Sequence, residues 1–193
     1  YMFEQASTRA WYDLFVKGGL KNEYQEMFWQ PKLSEELYDL QKDPWETDNL
    51  MLDRELDVVR MHLRVALNSW MVNTRDLGLV PEALRLAVSA GKSPADAFAD
   101  EQVFPYKTVL KNAVDAMDRS FAEGDTSEPL LASKVAAERY WGVLGLLMRG
   151  KDIAAKAHDK LVPLLTDAAP SVRVAAAEVL AQFGDPGEQA KAW

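Results

Sequence analysis

Asp43, Glu46, Asp48 and Asn49 put four oxygen-bearing side chains in one short run, and carboxylate and amide oxygens are what a hard cation such as calcium takes as ligands. The run lacks the alternating acid, Asn and Gly positions of an EF-hand loop, and turn and capping roles account for these residues more simply. His62 and His158 stand far apart, and neither has a second His or another ligand four residues on, so the spacings of zinc proteases and of nucleophilic triads are missing. Gly18-Gly19 has neither a following Lys-Ser/Thr nor the third glycine of a phosphate-binding loop. Cysteine is absent, which removes disulfides, thiolate metal sites and cysteine nucleophiles together and leaves the redox compartment open. The tryptophans Trp11, Trp29, Trp45, Trp70, Trp141 and Trp193 offer faces on which a sugar ring can stack. Trp11, Trp70 and Trp141 sit at helical spacing and read as core, whereas Trp29 and Trp45 flank a predicted strand. These residues supply no catalytic, cofactor-binding or metal site within the chain.

The elements that would position them divide into two regions. Ser7 or Thr8 can cap a short helix with Trp11, Leu14 and Phe15 on its buried side, and Gly18-Gly19 permits its stop. Asn22, with Gln25 three residues on, resembles the capping box of a second short helix whose apolar face is Tyr24, Met27 and Phe28. Glu36-Leu37-Tyr38-Asp39-Leu40 alternates in part and runs into Lys42-Asp43-Pro44, which predicts one strand and then a turn. A lone strand leaves its backbone groups unpaired, so its sheet partners are expected upstream of this chain. From residue 53 to about 74, Leu56, Val59, Leu63, Ala66 and Trp70 recur at spacings of three and four, the buried face of a long helix. Gly78 and Pro81 punctuate the chain next, and the boundary between the regions, 1–80 and 81–193, is placed there.

The second region reads as helical throughout, with helices expected near 81–89, 93–100, 105–122, 128–149, 151–166, 171–183 and 186–192. Ser93-Pro94 is a start signal, and Val109, Ala113, Met117 and Phe121 stripe the helix over 105–122. An internal repeat emerges on overlay. Pro129-Leu130-Leu131 aligns with Pro163-Leu164-Leu165, Arg139 with Arg173 and Gly150 with Gly184, all at an offset of 34. In the second copy Pro170 breaks the preceding helix and Ser171 is placed to cap the next. Val172, Ala176, Val179 and Phe183 form its buried stripe, and the alanines permit close helix approach.

Composition sets outer limits. Hydrophobic residues are 48% and charged residues 27% of 193, enough apolar material for a core. No apolar run of the length needed to cross a bilayer occurs. The net charge is -8, with 9 basic and 14 acidic side chains in residues 1–80 and 13 and 16 in residues 81–193. Neither half is a steering field for nucleic acid or another polyanion, which clustered Lys and Arg normally hold. Tyr1-Met2-Phe3-Glu4 has no initiator Met and no signal-peptide pattern, so the chain is expected to begin within a longer protein.

The run from Glu36 to Leu50 resembles the E-L-Y-D-L-x-x-D-P-x-E-x-x-N-L signature near the C-terminus of sulfatases at every fixed position. Trp70-Met71-Val72-Asn73-Thr74-Arg75-Asp76-Leu77-Gly78-Leu79-Val80-Pro81-Glu82 is similar to the W-M-x-x-T-x-D-L-G-x-x-P-E run of the subgroup that includes N-sulfoglucosamine sulfohydrolases. The resemblance covers about residues 1 to 82. It implies a small C-terminal α+β subdomain, a short antiparallel sheet and a helix packed on an upstream catalytic domain. It also implies a periplasmic or secreted parent acting on sulfated sugars with calcium and a formylglycine, neither of which this chain provides. The formylglycine arises in a C/S-x-P-x-R motif, and at Ser127-Glu128-Pro129 the required Arg is replaced by Leu131, so helix capping is the better reading. If any residue borders the parent's substrate cleft, the stretch between Trp29 and Trp45 is the first place to look.

Residues 167–184 resemble the second helix of a HEAT repeat, and HEAT-like sequence extends over about 125 to 184. About two such units are visible, fewer than the roughly three a free solenoid needs, so docking on another domain or further repeats are expected. The expected fold class is mainly α: a small α+β sulfatase C-terminal subdomain followed by a HEAT-like helical repeat domain. The expected role is non-catalytic, completing a sulfatase fold and giving packing, homo-oligomer or protein-partner contacts. The alternative is a free-standing HEAT-type interaction module.

Overall fold

The computed structural model describes residues 2–118, 127–184 and 187. Phe121, Trp193 and most of the predicted helix over 186–192 lie outside the described residues. The chain is mainly helical, and it gathers into two compact units, Tyr1–His62 and Leu63–Trp193.

In the first unit, α1 (Ala6–Val16) begins earlier than Ser7 and Thr8 would set it, with Gln5 at the N-cap and no side-chain cap. Helix α2 (Glu23–Glu26) starts at Asn22, whose side-chain oxygen accepts from the Gln25 amide at 3.1 Å, while Gln25 Oε1 reaches back to the Lys21 amide at 2.9 Å. A 3-10 turn, Met27–Trp29, follows. The predicted strand over 36–40 is absent, and no strand occurs among the described residues. Leu37 instead donates its amide to Asn49 Oδ1 at 3.1 Å and accepts the Leu50 amide at 2.8 Å, an isolated pair of bonds with no second strand to continue them. Two further 3-10 turns, Leu50–Leu52 and Arg54–Leu56, lead into α3 (Asp57–Thr74), which crosses from the first unit into the second.

The second unit continues with a 3-10 turn at Leu77–Leu79 and helices α4 (Glu82–Ser89), α5 (Pro94–Ala97), α6 (Tyr106–Met117), α7 (Ser127–Leu130), α8 (Ala136–Arg149), α9 (Lys151–Lys156), α10 (His158–Leu161) and α11 (Pro170–Phe183). Ser93 caps α5 through the Asp96 amide, as Ser-Pro signals. The helix expected over 128–149 is interrupted. Ser133 Oγ accepts the Val135 amide at 3.0 Å and donates to Glu138, so a side chain supplies the bonds that a continuous helix would have made. The helix expected over 151–166 breaks at Ala157 into α9 and α10, and α10 gives way to a 3-10 segment, Val162–Thr166, where Pro163 brings no amide hydrogen to the helix ladder. In α11 Ala169 is the N-cap and Pro170 the first helical residue, so Ser171 lies inside the helix rather than capping it.

The 34-residue offset survives in three dimensions. Helices α8 and α11 start at 136 and 170 and end at 149 and 183, each closed by a glycine, Gly150 and Gly184. Asp167 Oδ1 accepts the Ala169 amide at 2.8 Å, matching the bond at Ser133. Arg139 donates to the Ser133 carbonyl at 2.8 Å and Arg173 to the Asp167 carbonyl at 2.7 Å. The two copies are also joined: the Arg139 guanidinium holds the Asp167 carboxylate through two bonds, 2.7 and 2.8 Å, with Asp167 almost enclosed.

Helix α8 contributes to every cluster of the core. Val143 and Leu146 pack with Leu161, Val172, Ala176 and Val179; Ala137 packs with Val80, Phe98, Phe104, Tyr106 and Val109; Trp141 packs with Ala113 and Ala116. The stripe expected on α11 is buried at Val172, Ala176 and Val179, with Phe183 half-buried. Gly142 and Gly145 admit α7. A Cβ on Gly142 would lie 2.8 Å from the Ser127 carbonyl oxygen, and one on Gly145 would overlap Ser127 Oγ and sit 2.9 Å from its Cβ. Arg149 closes the same region, donating to the carbonyls of Ala116 at 2.8 Å, Gly145 at 2.9 Å and Asp118 at 2.9 Å and to Ser127 Oγ at 3.0 Å. Trp141 Nε1 donates to the Leu79 carbonyl at 2.7 Å, and the Tyr106 hydroxyl lies 2.7 and 3.0 Å from the Asp76 and Met71 carbonyls.

Ala is the better helix former by up to about 1 kcal/mol, but overpacking costs about 1–3 kcal/mol and the obstacle at Gly145 is another helix. Gly145→Ala is therefore expected to destabilise the protein in urea titration, and unchanged or increased stability would sink the close-approach account. The hydrogen bonds from Arg139, and then from the Ala169 amide, hold the Asp167 carboxyl below its ordinary 3.8. A carboxylate with a depressed folded pKa adds stability that is complete above its unfolded value and is lost as pH falls through the folded one. Thermal melts from about pH 6 to pH 2 are expected to fall more steeply for the native chain than for Asp167→Asn.

Candidate functional site

The Asp43 loop is built by side-chain acceptors. The Asp43 carboxylate accepts the Thr47 amide at 2.6 Å, the Asp48 amide at 2.7 Å and the Thr47 hydroxyl at 3.1 Å. These bonds, led by the one from the Asp48 amide, lower its pKa from the usual carboxylate value. Asn49 Oδ1 takes the Leu37 and Met51 amides, both at 3.1 Å. Glu46 occupies the left-handed region at φ 54, and Trp45 beside it is 85% exposed. The oxygens of Asp43 and Asn49 are thus committed to the loop's own backbone, and among the described residues no group of three or more His, Asp or Glu side chains is arranged to hold a metal.

Trp29 is the hub of an aromatic cluster in the first unit. Its ring lies 4.8 Å from Phe28, 5.0 Å from both Trp11 and Tyr12, and 6.1 Å from both Phe3 and Phe15. Trp11 Nε1 donates to the Gln25 carbonyl at 3.0 Å, while Trp29 Nε1 is buried with no hydrogen-bond partner among the described residues. Trp29 and Trp45, paired in sequence as flanks of a cleft edge, therefore differ in kind, one packed among rings and the other projecting. No described side chain of the first unit is fully buried. The cluster is a layer of rings that stays partly open to water.

Helix α3 departs most from its expected burial. Along the predicted buried stripe Val59, Leu63 and Trp70 are all exposed, the last at 56%. Ala66 is exposed too, and Leu56 is half-buried. Val58, Met61, Val65 and Leu67, off that stripe, are exposed as well. The spacing is helical, as expected, but no described residue covers the face. Trp70 is accordingly not a core residue here, in contrast to Trp141. Reading one stripe missed the apolar residues beside it, Val58, Met61, Val65 and Leu67, which the sequence displays equally plainly.

The remaining candidates fall into structural roles. Ser127 is fully buried beneath Gly145 and bonded to Arg149, so the S-x-P segment opens a packed helix. His62 is exposed on α3 and His158 pairs with Asp159 at 3.0 Å, and they belong to different units. Among the described residues no helix is long and apolar enough to cross a membrane. The candidate site is consequently a surface of the first unit, made of the ring cluster, the Asp43 loop and the opening of α3; in the second unit, taken by itself, the rest of α3 exposes Leu63, Val65, Leu67 and Trp70. In comparisons with known proteins the chain matches no family model, no curated protein and no solved structure.

Asp43→Ala removes three bonds from the loop, and hydrogen exchange at the Thr47 and Asp48 amides is expected to quicken by about tenfold or more. Asp43→Asn, which keeps one acceptor oxygen, is expected to retain part of that protection; equal exchange in all three proteins would rule out the carboxylate as the loop's organiser.

Proposed function

We propose that this chain is a non-catalytic C-terminal region of a sulfatase-type hydrolase acting on sulfated sugars, completing the fold of its catalytic domain and offering packing or oligomer contacts through its helical repeats. The observation that carries this reading is the missing core of the first unit. The first unit, which lies wholly within the segment that resembles sulfatases, has no fully buried side chain among its described residues and an open layer of aromatic rings, and it runs into a helix with exposed apolar residues. Such surface costs free energy in water in proportion to its apolar area, about 25 cal/mol per Å², and is relieved when another body covers it. Residues 36–40, without a ladder of their own, would add to a sheet supplied by that body, as the resemblance implies.

The second unit supports the repeat half of the reading. Helices α8 and α11 share length, closing glycine, cap and Arg-to-carbonyl bond at a constant offset, which suits the HEAT-like assignment. A free-standing interaction module is the second reading. It is favoured by the second unit's own core, which includes Phe98, Tyr106, Leu146 and Val179. Calcium and formylglycine belong, on the first reading, to the catalytic domain and not to this chain.

The coding region upstream of Tyr1 is expected to continue the reading frame and to include a C/S-x-P-x-R motif; a stop codon there with no such motif would overturn the proposal in favour of the interaction module. With that upstream region co-expressed, Leu63→Glu combined with Trp70→Glu is expected to abolish co-purification while the circular dichroism spectrum stays helical.

A further inference from the structure

We propose that the groove between the last turn of α4 and the start of α5 binds a small organic carboxylate, its charged head on Arg85, Ser89 and Lys92 and its apolar body against Leu77, Leu86 and Pro94. The inference is independent of the sulfatase reading and rests on polar groups that no described residue pairs. Ser89 is 7% exposed, yet its hydroxyl has no hydrogen-bond partner among the described residues. Arg85 Nε is buried beside it in the same condition. Buried polar groups are nearly always hydrogen-bonded, because leaving one unpaired forfeits its interaction with water without replacement. Arg85 and Ser89 both line one groove of about 420 Å³, so a ligand seated there lies next to the two groups that lack partners.

The turn that follows α4 brings in a second cation. Ala90 and Gly91 both take positive φ, 44° and 85°, and the Lys92 amide returns to the Ser89 carbonyl at 2.8 Å, so Lys92 is folded back onto the groove it lines. Neither Arg85 nor Lys92 forms an ion pair among the described residues. Glu82, also on the lining, opposes them, leaving two cations against one anion. That balance suits a monoanion better than a dianion. The guanidinium fork matches a planar carboxylate, the serine hydroxyl can donate to it, and Leu77, Leu86 and Pro94 give a hydrocarbon or aromatic body somewhere to lie. A chain whose overall charge repels polyanions can still hold a single anion in such a groove, since the interaction is local.

The test is a titration of the uniformly labelled full chain with benzoate, followed by amide NMR, with inorganic phosphate as the comparison anion. Saturable shifts at Ser89, Gly91 and Lys92, with a dissociation constant on the order of 1 mM and weaker binding of phosphate, are expected. Arg85→Gln is expected to weaken benzoate by about tenfold or more, and Arg85→Lys, which keeps the charge but loses the fork, by less. Native-like melting of Arg85→Lys keeps the test decisive should Arg85→Gln fold poorly. Shifts that do not saturate, benzoate binding equal in native and Arg85→Lys proteins, or phosphate binding more tightly than benzoate would each overturn the assignment.

Discussion

The approach of α7 to α8 is the contact on which the second unit depends. Without side chains at Gly142 and Gly145, the Ser127 backbone and hydroxyl can lie where two β-carbons would otherwise stand. That proximity brings Ser127 within reach of the Arg149 guanidinium, which also takes carbonyls from the end of α6 and from α8 itself. One cation therefore satisfies carbonyl groups that the end of a helix would otherwise leave to water. With α6, α7 and α8 tied in this way, Ala137, Trp141, Val143 and Leu146 point from one helix into three clusters of the core. The Arg139 to Asp167 pair then carries the arrangement into the next copy of the repeat, because a bidentate guanidinium-carboxylate bond specifies orientation as well as proximity.

The two units solve the problem of burial differently. The second has apolar residues that return at helical intervals and meet partners from other helices, so its interior closes. The first has abundant aromatic and aliphatic side chains but too few layers to enclose them, a difficulty inherent in short segments, whose surface is large for their volume. Its local structure is held mainly by polar devices: Asn22 and Asn49 as caps, Asp43 as the organiser of a loop, and Arg60 donating to Asp57 and to the Met51 carbonyl. Such bonds set conformation, yet each contributes only about 1 kcal/mol and they do not replace a core.

Much of the local design was legible in the residues. Asn22 with Gln25, Ser93 with Pro94, and the stripe of Val172, Ala176 and Val179 all act as their types and spacing indicate, because capping and helical periodicity depend on neighbours in the chain. The misreadings share a different cause. Residues 36–40 have strand-like alternation but no second strand among the described residues, the helix expected over 128–149 yields to the Ser133 bond, and Leu63 and Trp70 lie in a correct helix whose apolar face no described residue covers. Each of these outcomes depends on what stands opposite. Arg85 and Ser89 escaped notice for the same reason, since a lone Arg and Ser on a helix carry no signal until the turn at Ala90 and Gly91 folds Lys92 toward them.

By itself, the sequence determined the helical character, the positions of several caps, the 34-residue repeat and the absence of any cysteine chemistry. These follow from covalent order, in which each residue constrains others a few places away. Only the tertiary structure decided which apolar faces find partners, which polar groups are satisfied and which remain open. Burial and pairing are relations between distant segments, and a pattern along the chain can propose a buried face but cannot supply the surface that covers it.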